Sequence, residues 1–352
     1  MSTIRDVAEH VGVSIATVSR VFNSSPLVSE STARKVWQAA LELDYWPNSA
    51  ARTLTTNRTH AFGVLLPDLY GEFFSEVIRG IDQEARAQTM QLLISSSHAS
   101  PVELVAAAGA MSGRVDGLIV MASDQATAEA IERVARHFPV VLMNPPSPFP
   151  GCGDVSIDNF AGARAVVGHL LGLGHRRVAL IGGPRGNSDA EERARGYREA
   201  LREAGDGVVA LEIEGDFTEE SGYQAARSLL AQAPRPTAVF AANDAMAVGL
   251  LGALRDHQVA VPDAMAVAGF DDIAIARYLT PPLTTVSVDM SALGRRAVQL
   301  LLEALGGGEA PPVRRELLPA RLVVRESCGC RLKSRRPARG RHGPDATSRI
   351  AE

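Results

Sequence analysis

The first 45 residues carry apolar side chains in short blocks of helical period, most of them opened by a hydroxyl residue suited to capping and closed by glycine or proline. Thr3, with Asp6 three residues on, marks one start, and its helix is expected to run to about His10. Val11-Gly12-Val13 reads as a tight turn and Ser14 as the cap of a second helix, Ile15 to about Phe22, which together make a helix-turn-helix pattern. After Asn23-Ser24-Ser25-Pro26, Ser29 opens a third helix whose Ala33, Val36, Trp37, Ala40 and Leu43 share one face, and Pro47 stops it.

From Thr59 to about Arg325 the pattern changes to short continuous apolar runs separated by amphipathic stretches. The runs are Phe62–Leu66, Leu92–Ser95, Gly117–Met121, Val140–Met143, Val155–Ile157, Val178–Ile181, Val209–Ile213, Ala238–Ala241, Ala266–Gly269 and Thr285–Val288. Apolar strands alternating with helices predict parallel sheet covered on both faces. Ten strands exceed one sheet of usual size, and the alternation restarts near residue 160 after the proline-rich segment 144–150, so two similar α/β lobes are expected. The predicted fold class is an all-α helix-turn-helix headpiece over 1–46, a hinge over 47–58 and a two-lobed α/β body over 59–330. Residues 331–352, basic and almost without apolar side chains, are expected to be a disordered tail.

Composition changes this picture little. Hydrophobic content of 46% and charged content of 22% fit a globular protein, and no apolar run approaches the ~18–20 residues of a spanning helix. The N-terminus lacks a secretory pattern, so the chain is expected in the cytosol. Cys152, Cys328 and Cys330 fit neither a disulfide framework nor a zinc site. Charge is more informative, because the net of −4 is uneven: residues 1–58 carry +1 and residues 331–352 carry +5, which leaves −10 for the body. Nucleic-acid binding follows local charge, so an acidic whole does not argue against it.

Within the second predicted helix, Val18 and Val21 fall inward, while Ile15, Ala16 and Arg20 face outward where a recognition helix meets base edges. The Arg20 guanidinium can fork onto guanine O6 and N7, and Ile15 and Ala16 offer only apolar contact, for example to a thymine methyl. Ser14, Thr17, Ser19 and Tyr45 are short-range donors suited to phosphates. A plain helical hairpin with a surface arginine has the same spacing. The segment Pro47–Leu54 favours the DNA reading, since it is helix-prone yet shorter than the ~12–15 residues an isolated helix needs. Leu54 in it could wedge between base steps in a minor groove or pack on the body.

These stretches resemble the lactose and galactose repressor (LacI/GalR) family of bacterial transcription regulators. The likeness lies in Thr3–Ala8, Val13–Asn23, Pro47–Leu54, Asp116–Val120, Arg235–Phe240, Asn243–Ala247, Gly269–Asp272, Leu283–Val286 and Arg321–Cys330, and spans residues 2–330. The resemblance implies a headpiece that binds double-stranded operator DNA, with Asn23 and the hinge residues Asn48, Ala51 and Leu54 among the contacts. It also implies a hinge helix that folds in the minor groove and a body, like a periplasmic sugar-binding protein, that forms a homodimer and binds a small effector between its lobes.

Ligands of open α/β sheets bind beyond the carboxyl ends of the strands, which here carry Asp68, Ser96, Asp158, Asn243 and Asp271. Phe73 and Phe74 begin a helix after Asp68, and one of them can serve as an apolar platform for a sugar ring. By resemblance, Phe74, Asp158, Arg193, Phe217, Asn243 and Asp271 line the effector pocket. The plainer alternatives are that Asp158 and Asn243 cap helices and that Arg193 pairs with Glu191 or Glu192 at the surface. Val288 stands where many family members carry glutamine. Asn187 and Asp189 replace the basic and hydroxyl pair of the purine-binding member, and carboxylates with amides suit hydroxyls that both donate and accept, so a sugar is the expected effector. No cofactor is expected. Enzymatic motifs, the G-x-S-x-G elbow, H-E-x-x-H, the P-loop and the dinucleotide fingerprint, are missing from the sequence, and a regulator rather than an enzyme is expected.

Overall fold

A computed structural model describes residues 2–22, 27–46, 58–306 and 315–330. The expectations for Asn23, Asn48, Ala51, Leu54 and the 331–352 tail therefore lie outside the described residues.

The headpiece is three helices, α1 Ile4–Val11, α2 Ile15–Phe22 and α3 Glu30–Glu42. Each start is fixed by its sequence. Thr3 and Asp6 form a reciprocal capping box, the Ser14 hydroxyl accepts from the Thr17 amide at 3.1 Å, and the Ser29 hydroxyl accepts from the Thr32 amide at 3.3 Å. Gly12 ends α1 at φ 72°, a left-handed conformation that costs glycine least. Val7, Ala8, Val18, Val21, Val36, Ala39 and Ala40 make a small core, with Tyr45 packed at its edge.

The chain divides into two compact units, and it passes between them three times. The first holds the chain up to Ser156 together with Met290–Glu316, and the second holds Ile157–Asp289 and the chain from Leu317. Beyond the headpiece, the first unit is built on six strands: β1 Ala61–Leu66, β2 Gln91–Ser96, β3 Gly117–Met121, β4 Val140–Met143, β5 Gly153–Ile157 and β11 Arg315–Leu318, in the order β11-β5-β4-β3-β1-β2. Every residue of β1, β3 and β4 is buried while the edge strand β2 is half-exposed, which is why the inner strands read as unbroken apolar runs. Asp116 accepts from the Thr59 amide at 2.6 Å, the Thr59 hydroxyl at 2.8 Å and the His60 amide at 2.9 Å, tying the chain just before β1 to the start of β3.

The second unit has a parallel sheet in the order β7-β6-β8-β9, from β6 Arg177–Ile181, β7 Val209–Ile213, β8 Ala238–Ala241 and β9 Ala266–Ala268. An antiparallel pair, β10 Thr285–Ser287 with β12 Arg321–Val323, stands beside it and departs from the all-parallel expectation. Helices Asn159–Gly172, Ser188–Glu203, Glu219–Leu230 and Asp244–Asp256 cover the sheet.

The change of unit between Ser156 and Ile157 lies close to the restart expected near residue 160, with β5 between the proline-rich segment and that point, paired with β4. The division is not a single cut: helix Met290–Leu305 belongs to the first unit, where the backbone of its Ser291 lies against Gly80 of helix Glu72–Ala87.

Candidate functional site

On α2 the outward residues are as the spacing placed them. Ile15, Ala16 and Arg20 are exposed, with Val18 and Val21 buried beneath. Ser14 and Thr17 have hydroxyls 2.9 Å apart, and Ser19 is half-buried. Tyr45 is less free than expected, because its ring sits 5.8 Å from that of Phe22 and burial pushes its phenol pKa up. The body of that side chain belongs to the core and its hydroxyl is the part left to donate. Trp37 stacks edge-on against Phe22 and is half-exposed.

In the second unit the carboxyl ends of the strands converge on Arg193. This residue is buried, and Glu192 pairs with Arg195 instead, so the surface ion-pair alternative does not hold. The guanidinium donates from Nε to Asn159 Oδ1 at 2.8 Å and from Nη1 to the Ala242 carbonyl at 2.6 Å, and it lies 3.9 Å from the centre of the Phe270 ring. Its Nη2 is 3.1 Å from Asp271 Oδ1, a buried ion pair. Burial raises the Asp271 pKa to about 6, Arg193 opposes the rise and Asp189 adds to it.

The loop that carries Asp271 is held in an unusual backbone. Asp271 and Asp272 have φ of 109° and 58°, a region that side-chain-bearing residues enter only when their surroundings fix them. The Asp271 amide donates to the Val286 carbonyl at 2.8 Å, and Arg325 binds Asp272 Oδ1 at 2.6 Å and the Leu283 carbonyl at 2.8 Å. The two adjacent acids thus point to different cations. Behind them Asp244 is wholly buried, accepting from the Thr285 hydroxyl at 2.6 Å and the Ile273 amide at 3.0 Å. Burial and then Asp271 hold its pKa well above the usual carboxylate value.

Asp158 and Asn243 do cap helices: Asp158 accepts from the Ala161 amide at 3.0 Å and Asn243 from the Met246 amide at 2.9 Å. Asn243 also donates to the Phe217 carbonyl at 2.9 Å, which fixes that residue at φ 70°. The Phe217 ring lies against Gly183, where a Cβ would collide with it, and 5.7 Å from the Arg193 guanidinium. Asn187 caps the helix that carries Arg193, and Asp189 accepts from Asn159 Nδ2 at 2.8 Å. Val288 is buried. In the first unit, Asp68 accepts from the amides of Leu69 and Tyr70, Ser96 donates to the Pro67 carbonyl, and Phe73 and Phe74 are half-buried with ring centres 5.4 Å apart.

The sequence reading missed Asn159, Asp244, Phe270 and Thr285. Asn159 and Asp244 each directly follow a residue that was chosen, and Phe270 directly precedes one, so adjacency to a strand end was the available signal.

Comparison with known proteins follows the same division. Residues 3–48 match the family described as bacterial regulatory proteins, lacI family, and residues 167–328 match a periplasmic binding protein-like domain. The ribose operon repressor of Escherichia coli K12 is 36% identical over 324 residues, 91% of this chain and 98% of that protein. The HTH-type transcriptional repressor PurR of Edwardsiella ictaluri is 37% identical over 335 residues, 93% of this chain and 97% of that protein. A crystal structure of the lac repressor dimer bound to operator and the anti-inducer ONPF superposes with a TM-score of 0.82 at 32% identity, covering 93% of this chain and 99% of the other.

Proposed function

The chain belongs to the lacI family of bacterial regulatory proteins, and from that premise we propose that it is a cytosolic repressor that releases its operator when a sugar binds at the Arg193–Asp271 wall. As a member of that family it is a sequence-specific DNA-binding transcription regulator that acts as a dimer on operator DNA under the control of a small effector. The recognition helix α2 presents Arg20, Ile15 and Ala16 to base edges, and two copies on a two-fold axis match a pseudo-palindromic site.

The observation that supports a sugar is the make-up of the wall: a buried Arg193 guanidinium with the carboxylate of Asp271 3.1 Å from it and that of Asp189 fixed by Asn159. Sugar hydroxyls donate to Asp271 and Asp189 and accept from the amide of Asn243, and the Phe217 ring offers a face to C–H groups. Identity to the two repressors above is nearly equal and does not choose between effector classes. The chemistry of the wall supports a sugar.

Binding can switch the protein only through unequal affinity for two conformations, and Arg193 is the group through which the ligand would be felt. Fluorescence anisotropy with labelled operator and a panel of pentoses, hexoses and purine bases tests the reading. A sugar should lower operator affinity, and Arg193→Ala should still bind operator yet no longer let go. Response to purines alone, or wild-type release from Arg193→Ala, would overturn the assignment. Incubation with chromogenic glycosides should give no turnover; turnover would make the protein an enzyme.

A further inference from the structure

The last described turn of the chain brings together two thiols whose position neither the fold nor the effector wall explains. Cys328 closes a short 3-10 turn, Glu326–Cys328, and is 1% exposed; Cys330 is half-buried, and both are free thiols. Gly329 between them is exposed and left-handed, with φ 80° and ψ 3°. A helical conformation of either hand sets the flanking Cα atoms about 5.5 Å apart. That separation falls inside the span of roughly 4.4–6.8 Å that a disulfide bridges. The third cysteine, Cys152, is buried in the core of the other unit and takes no part.

Cys328 also sits among polar groups rather than in a purely apolar pocket. Its Sγ lies 3.4 Å from the Arg325 carbonyl oxygen and 3.4 Å from Nε2 of His169. Burial lowers the His169 pKa, so the ring is neutral near pH 7 and one of its nitrogens can take a proton. His175 is nearby and its pKa is lowered in the same way, with its Nδ1 3.0 Å from the Thr237 hydroxyl.

We infer that Cys328 and Cys330 form a reversible redox pair that closes to an intrachain disulfide on exposure to a hydroperoxide. Cys330, the more accessible thiol, attacks the O–O bond as its thiolate. It takes one oxygen to become a sulfenic acid, and the other leaves as water or an alcohol. Cys328 then attacks the Cys330 sulfur, the S–S bond forms, and the hydroxyl departs as a second water with the proton from Cys328. Two thiols lose two electrons and two protons, and one hydroperoxide is reduced. A ring closed over a single intervening residue is strained and partly exposed, the kind of disulfide that is readily reduced and serves as a sensor rather than a staple.

Closure has a structural consequence. Sγ of Cys328 must leave His169 and the Arg325 carbonyl, and the turn it ends is the one that clamps the Asp271 loop. Ser327 donates to the Val267 carbonyl at 2.6 Å and accepts from the Thr284 amide at 2.8 Å, while Arg325 holds Asp272. Oxidation therefore loosens the support of Asp271. Reduced response to the effector in the oxidised protein rests on the site proposed above; formation of the disulfide does not.

Trypsin cuts after Arg325 and Arg331, so one peptide, Glu326–Arg331, carries both cysteines and excludes Cys152. The native full-length chain is treated with hydrogen peroxide, unfolded, alkylated with iodoacetamide and digested. The peptide should be lighter than its dithiol form by two hydrogens and carry no alkyl group, and dithiothreitol should restore two alkylation sites. In Cys330→Ser, Cys328 should remain fully alkylatable after peroxide because it is buried. Full alkylation of both cysteines in the treated wild type would overturn the pair. So would oxygen added to Cys330 with Cys328 still alkylatable, or a crosslink to a second chain. The main arm uses the unmodified protein, so it does not depend on how a variant folds.

Discussion

Replacing Asp271 with asparagine should remove a pH dependence of stability whose sign and size follow from the site. The substitution keeps the shape of the side chain and deletes its titration. In the folded chain the Asp271 pKa stands at about 6, against 3.8 for the ordinary carboxylate. Burial dominates; the Arg193 guanidinium beside it is shared with Asn159, the Ala242 carbonyl and the Phe270 ring, and Asp189 opposes it. Between pH 4 and 6 the native state therefore binds more protons than the unfolded chain, and the stability this group supplies is full below pH 4 and lost as pH rises through 6. A shift of some two units corresponds to about 3 kcal/mol at ~1.4 kcal/mol per unit. With an m-value of about 3 kcal/mol per molar urea, that is a change of roughly 1 M in midpoint. Urea unfolding of wild type and Asp271→Asn, followed by circular dichroism from pH 4 to 8, reads it. The offset between the two proteins depends on what Arg193 loses, but wild-type stability relative to the variant should fall by that amount from pH 4 to 7. A flat difference, or one that grows with pH as a tightly salt-bridged acid would give, refutes the reasoning.

Arg20→Ala should cost about 1–3 kcal/mol of operator binding and relax preference at one base pair per half-site, checked by binding to a set of single-base operator variants; an unchanged profile would put base reading elsewhere on α2. Gly249→Ala should lower the melting temperature, because a Cβ there falls inside contact distance of the Glu219 carbonyl oxygen where helices 219–230 and 244–256 cross. Overpacking costs about 1–3 kcal/mol or more and the helix gains about 1 from alanine, so a raised melting temperature would mean the two backbones are not that close. Both tryptophans, Trp37 and Trp46, lie in the headpiece and are 48% and 79% exposed, so intrinsic fluorescence should respond strongly to operator and weakly to sugar in DNA-free protein. A large sugar-induced change would contradict this.

Much of the fold was legible because caps and buried strands are local. Thr3, Ser14 and Ser29 announce the headpiece helices within four residues of chain, and the inner strands of each sheet are apolar on both faces, so a run such as Gly117–Met121 matches its strand end to end. What stayed hidden is long-range. Strand Arg321–Val323 begins with an arginine and is half-exposed, so nothing in its own pattern separates it from a loop until Thr285–Ser287 pairs with it. The return of helix Met290–Leu305 to the first unit depends on glycine contacts more than 200 residues apart in sequence, between Gly80 and Ser291.

The site divides along the same line. Asp158, Asn243 and Asp271 could be named because strand ends are readable, and Arg193, inside a helix, by resemblance, but which of them is charged or capped is a property of burial. The sequence left Arg193 open between a surface ion pair and a pocket lining, and the structure decides it through neighbours far away in the chain, Asn159, Ala242 and Phe270. The same holds for Asp244. In sequence it is the residue after a helix cap, and in the folded protein it is a wholly buried acid whose two oxygens meet Thr285 and Ile273. A glycine at 269 is what admits that arrangement, since a Cβ there would strike Asp244 Oδ1. Thus the loop that aims Asp271 at Arg193 is set from behind by a carboxylate that itself needs a neighbour without a side chain, a dependence that spacing along the chain does not encode.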